Sequence, residues 1–137
     1  MSDALFYVSA VSLAFGAGLG IKGMLDPLWA AQLVRLQAAN DQAEGYAEFR
    51  STFGGMFLGL HLVALAFLFV WGGMAGVAAC TILAAGWLFT ALGRTISYFA
   101  DAGTRDVHVV RSIAIEIVVG LAVGAWPIAY FLAHGLY

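Results

Sequence analysis

Residues Ser51 to Gly93 read STFGGMFLGLHLVALAFLFVWGGMAGVAACTILAAGWLFTALG. These 43 residues contain no Asp, Glu, Lys or Arg, and His61 is their one nitrogen base. A transmembrane helix needs about 20 mostly apolar residues to cross a hydrocarbon core of about 30 Å. The run is therefore long enough to cross twice. Its middle, Trp71-Gly72-Gly73-Met74-Ala75-Gly76, is rich in glycine and suits a tight turn between the two crossings.

Outward from this run the composition agrees. The 137 residues are 63% hydrophobic and 10% charged, with a mean hydropathy of +0.93. A soluble domain carries about a quarter charged residues to cover its surface, so a multi-pass membrane chain is the reading. Further apolar stretches predict a first helix over about 4–23 and a fourth over about 107–133, with the second and third at about 47–70 and 75–100. The N-terminus, Met-Ser-Asp, is acidic and the apolar stretch after it is long for a signal core, so it is read as a retained helix. Pro127 is expected to kink the fourth helix rather than end it. Asp26-Pro27 is a helix start, an N-cap followed by proline at the first helical position. It opens a short amphipathic helix over about 27–37, with Trp29, Leu33 and Leu36 on one face. That helix either lies on the membrane surface, with Trp29 at headgroup level, or packs on the bundle as a linker. The expected fold is all-α: one domain over 1–137, an integral membrane four-helix transmembrane bundle with one short amphipathic interfacial helix.

The basic residues set an orientation. Lys22, Arg35 and Arg50 flank the first connection, and Arg94, Arg105 and Arg111 flank the third, while the second connection and both termini have none. By the excess of Lys and Arg in cytoplasmic loops, both termini are expected on the periplasmic or extracellular side.

Close helix approach in lipid depends on small residues. Gly16-x-x-x-Gly20, Gly55-x-x-x-Gly59 with the adjacent Gly54, and Gly120-x-x-x-Gly124 mark contact faces of the first, second and fourth helices; Gly86 and Gly93 do so on the third. The inner ends of the helices gather polar residues: Arg50, Arg94, Tyr98, Asp101, His108 and Glu116. Arg94 lies about 9 Å inside the end of its helix at 1.5 Å per residue, and Glu116 lies deeper still. An isolated charge at such depth costs about 2.5–3.5 kcal/mol or more, so the two are expected to pair, with Arg50 near enough to join. Such a pair can fix helix register or bind a ligand. His61, mid-membrane, needs a hydrogen-bond partner such as Thr81 or a backbone carbonyl; a relay toward Arg50 is the sharper alternative.

Other chemistry is not visible. The three histidines fall at different depths with no HExxH, so no metal is expected. There is no nucleophilic triad, no phosphate loop, no cofactor motif, and no basic stripe for nucleic acid. Lone Cys80 forms no internal disulfide.

Glu48-Phe49-Arg50, Gly54-Gly55, Ala91-Leu92-Gly93-Arg94, Asp101-x-Gly103 and Glu116 together resemble a bacterial four-helix membrane family, domain of unknown function family 4345, similar in layout to the DoxX-like membrane proteins. The resemblance covers about residue 47 to the C-terminus. It implies that Arg50, Gly54, Gly55, Arg94, Asp101 and Glu116 are motif positions and that the chain sits in a bacterial inner membrane. It brings no activity with it. Where the family has proline soon after the position of Gly103, this chain has Thr104 and Arg105.

Three functions compete. The first is an accessory or structural membrane subunit, with membrane lipid and other membrane proteins or further copies as partners. The second is a bundle that binds or transports a small amphipathic ligand, lipid or quinone at an inward-facing Arg/Glu site. The third is a membrane enzyme using Glu116, Tyr98 or His108 as acid–base groups; no nucleophile, metal or cofactor motif stands behind it.

Overall fold

The computed structural model describes residues 2–39 and 44–135. It is helical, with no strand among the described residues. The helices are α1 (Ser2–Leu25), α2 (Pro27–Val34), α3 (Gly45–Trp71), α4 (Gly73–Ala100) and α5 (Val107–His134). All but α2 are long and apolar enough to cross a membrane. Between 22% and 33% of each apolar window is buried. Large side chains such as Ile82, Phe89, Phe99 and Leu132 are left outside, an arrangement that suits lipid tails and not water. The chain is thus a multi-pass membrane protein built as the sequence predicts, each crossing slightly longer than read.

Packing divides the chain into two compact units, residues 13–66 and residues 1–12 with 67–137. In the first, α1 meets α3 through glycine. A Cβ on Gly16 would fall 2.1 Å from the His61 ring, one on Gly20 would fall 2.4 Å from the Leu58 backbone nitrogen, and one on Gly23 would fall 2.6 Å from the Phe53 carbonyl. From the opposite side, a Cβ on Gly54 would meet the Met24 backbone at 2.7 Å. The expected Gly16–Gly20 face is therefore a contact. The Gly55–Gly59 face is not: a Cβ on Gly59 would meet open space, and one on Gly55 would meet only its own helix at 3.7 Å.

α3 meets α1 instead through Gly54, Leu58 and His61, one position round the helix from Gly55 and Gly59. The sequence reading treats the second crossing as one regular helix, but Phe49–Met56 and Phe67–Trp71 are π-helical. Ser51, Thr52, Gly54 and Gly55 are poor α-helix formers, and the first π segment contains all four.

The start of α2 is as read. Asp26 Oδ1 accepts from the Trp29 backbone N–H at 3.0 Å. The hydrogen bond from Lys22 Nζ, 2.9 Å from Oδ2, then that from Trp29, hold the Asp26 carboxyl below the usual carboxylate range. The helix ends earlier than expected, at Val34, because Arg35 turns left-handed (φ 57°) and its N–H closes onto the Ala31 and Gln32 carbonyls. Trp29 also leaves the face assigned to it. It packs with Val34 and Phe53 against the buried cluster Ala30, Ala31 and Phe49, while Leu33 and Leu36 stay exposed.

In the second unit, α4 and α5 form an antiparallel hairpin. Its turn uses Gly103 at φ 86°, and Asp106 caps α5 by accepting from the His108 N–H at 2.8 Å. A Cβ on Gly120 would press on Leu88 and Trp87, and one on Gly124 would lie 3.4 Å from Ala84, so that glycine face packs as expected. Gly86 and Gly93 would meet nothing. The turn between α3 and α4 uses Gly72 and Gly73, both at positive φ.

Proline acts on α5 upstream of its own position. The helical run breaks at Gly124, between Val123 and Ala125. Pro127 has no N–H for the Val123 carbonyl, and its ring crowds that carbonyl. Ser9, fully buried, repairs the gap. Its hydroxyl lies 2.9 Å from the Val123 oxygen and 3.2 Å from that of Ala122, to which it donates, and it accepts from the Trp126 N–H at 3.1 Å. Each buried backbone group left unpaired would cost about 1–3 kcal/mol. Phe6 stacks edge-on against both Phe69 and Trp126 beside it.

The glycine contacts give a paired test. Gly20→Ala must displace backbone, and overpacking of this kind costs about 1–3 kcal/mol. Gly59→Ala has room and gains up to about 1 kcal/mol of helix propensity. Unfolding titrated with a denaturing detergent in mixed micelles should show the first variant destabilised and the second at or above wild type.

Candidate functional site

The polar cluster expected at the inner helix ends resolves into separate pieces. Arg94, two turns before the end of α4, points its Nε at Glu116 Oε1 of α5, 2.6 Å away. The expected pair therefore forms. Its two halves differ in exposure: the Glu116 side chain is 8% exposed and that of Arg94 is 36% exposed. Glu116 Oε2 is enclosed and has no hydrogen-bond partner among the described residues. The carboxylate thus spends one oxygen on its partner and keeps a second as an unused acceptor. The pair sits on the face that carries Gly120 and Gly124, where small residues let α5 approach α4.

Asp101, His108 and Tyr98 serve elsewhere. Asp101 Oδ2 accepts from the Ser97 hydroxyl at 2.6 Å. The Thr104 hydroxyl donates to the Ser97 and Asp101 carbonyls at 2.7 and 2.9 Å. Together these bonds tie off the end of α4 and shape the turn. Thr104 is thus built into the loop. His108 is exposed at the start of α5 and contributes its backbone N–H to the Asp106 cap. Tyr98 is half-buried and meets the Phe99 ring edge-on at 5.3 Å.

Arg50 belongs to the other unit. Its guanidinium donates to the Met24 carbonyl near the end of α1. That carbonyl is one of the last four of its helix and has no intrahelical donor, and a cation there also opposes the negative end of the helix dipole. An open cleft of about 320 Å³ beside it is lined by Pro27, Leu28, Tyr46 and Arg50.

His61 takes the backbone-carbonyl partner: Nδ1 lies 2.7 Å from the Phe57 oxygen, four residues back. Its ring fills the space over Gly16 and tilts onto Phe57 at 4.9 Å. Thr81, the other expected partner, gives its hydroxyl to Val77 at 2.8 Å. Among the described residues no group of three His, Cys, Asp or Glu could hold a metal ion.

Sequence reasoning missed Ser9 and the helix-capping role of Arg50. Ser9 had a signal: a proline inside a spanning helix demands an outside donor, and the apolar stretch of α1 carries serine hydroxyls at Ser9 and Ser12. No family model, no curated protein and no solved structure matches this chain.

Removing one member of a buried ion pair leaves the other uncompensated, at a cost of about 3–5 kcal/mol. The exposure of Arg94 lowers this to about 2–3 kcal/mol. Arg94→Met alone should therefore destabilise the chain. Arg94→Met combined with Glu116→Met should recover most of the loss. Detergent-unfolding midpoints of the three proteins check this, and additive losses would show that the two residues act separately.

Proposed function

We propose that this chain is an accessory or structural subunit of a bacterial inner membrane, with both termini on the periplasmic side. The observation that carries the reading is where its polar side chains are spent. Ser9 closes the break in α5, Arg50 caps α1, His61 serves a carbonyl of its own helix, and Arg94 holds Glu116 across the α4–α5 hairpin. Hydroxyls of Ser12, Thr81, Thr90 and Thr95 each return to the carbonyl four residues back. The bonds of Ser9, Arg50 and Arg94 join one helix to another and the rest close within one helix, so polar atoms are spent on the fold itself. The broad apolar exterior is left to lipid or to neighbouring membrane proteins. The orientation rests on the distribution of basic residues.

One observation favours the second reading, a bundle that binds an amphipathic ligand. The idle Glu116 Oε2 beside a partly exposed guanidinium offers an acceptor and donors at one point.

Gentle extraction from native membranes, followed by mass spectrometry of the intact assembly, separates the two. A subunit is expected to carry another membrane protein in fixed ratio, and a lone monomer would overturn that reading. A lone chain retaining a small molecule that Glu116→Gln releases would establish the second.

A further inference from the structure

We infer that the cleft formed by Pro27, Leu28, Tyr46 and Arg50 is a binding site for one anionic phospholipid, its phosphate on Arg50 and an acyl chain along Leu28. The inference is independent of what Arg94 and Glu116 do.

Depth comes first. Arg50 immediately precedes the charge-free run Ser51 to Gly93, and Pro27 follows the end of the α1 crossing at Leu25 by two residues. Two spans thus end at this cleft, which places it at the boundary between tails and headgroups. Tyr46 is a residue type enriched at that boundary.

Charge comes second. A guanidinium has five N–H donors in a planar fork suited to phosphate, and the Met24 carbonyl takes one of them. That bond anchors the side chain, so the remaining donors are presented from a fixed position in an exposed residue. Glu48, two positions before Arg50, is at a spacing whose side chains do not face each other on a helix, and Asp26, next to Pro27, is compensated: Lys22 Nζ lies 2.9 Å from one oxygen and the Trp29 N–H binds the other.

Surroundings come third. Leu28 is 56% exposed, Leu25 is 74% exposed, and Leu33 and Leu36 are also uncovered. These are apolar surfaces beside a cation, the combination that a lipid with a negative headgroup and hydrocarbon tails complements. The cleft is open, which suits a ligand arriving sideways from the bilayer.

The test uses the full chain in mild detergent, titrated with phosphatidylglycerol or with zwitterionic phosphatidylcholine of the same acyl chains, and read by native mass spectrometry. One phosphatidylglycerol should be retained about fivefold more than phosphatidylcholine, the increment of one interfacial basic residue. Arg50→Gln should abolish that preference. Because it also uncaps α1, the decisive variant is Leu28→Glu, which puts a carboxylate in the cleft at an exposed first-turn position and leaves the Met24 bond alone. It too should bring phosphatidylglycerol down to the phosphatidylcholine level. Equal retention of both lipids by wild type would overturn the inference. So would a preference that survives Leu28→Glu, or displacement of the lipid by inorganic phosphate, which would mark a site for a free anion.

Discussion

Backbone polar groups inside a bilayer find no water, and every N–H and C=O the helices leave open must be satisfied from within the protein. The fold is organised around the few places where that demand is not met by a regular helix. At the proline break in α5 one hydroxyl, Ser9, deals with three backbone groups at once. At the end of α1 a guanidinium covers Met24. At the turn after α4, Thr104 covers Ser97 and Asp101. Sites that look chemically interesting by residue type are, in this chain, mostly answers to that one requirement.

Shape follows from the same economy of atoms. Lipid supplies no hydrophobic push between helices, so contact depends on how closely backbones approach. Gly16, Gly20, Gly23 and Gly54 bring α1 and α3 to backbone distance, and Gly120 and Gly124 do the same for the α4–α5 hairpin. The Arg94–Glu116 pair lies further along that hairpin and adds a directional bond to a contact that packing alone would leave free to slide.

Much of this was legible in the sequence because its causes are local. Twenty apolar residues make a crossing whatever surrounds them, and Asp26-Pro27 caps a helix by its own geometry. The Arg94–Glu116 pair was legible because two charges too deep for headgroups have to find each other. The two π-helical segments were not, since the apolar pattern of α3 fits either winding; of its expected packing glycines Gly54 makes the contact, and Gly55 and Gly59 do not. The site of the α5 break was displaced from Pro127 to Gly124 because the damage falls on the carbonyl four residues earlier. Ser9 was hidden for a different reason: its partners lie 113 to 117 residues away, and no window along the chain holds both.

That separation bears on biogenesis. During synthesis α1 enters the bilayer first and α5 last, so Ser9 is in the membrane before the segment around Val123 arrives. The open carbonyl and amide groups of the last crossing are met only when it docks on α1, and joining the beginning of the chain to its end is a late event, as non-local contacts are in general. A ribosome-bound intermediate that has made three crossings is unfinished in a specific sense: the serine that will complete the fourth is already in place and waiting.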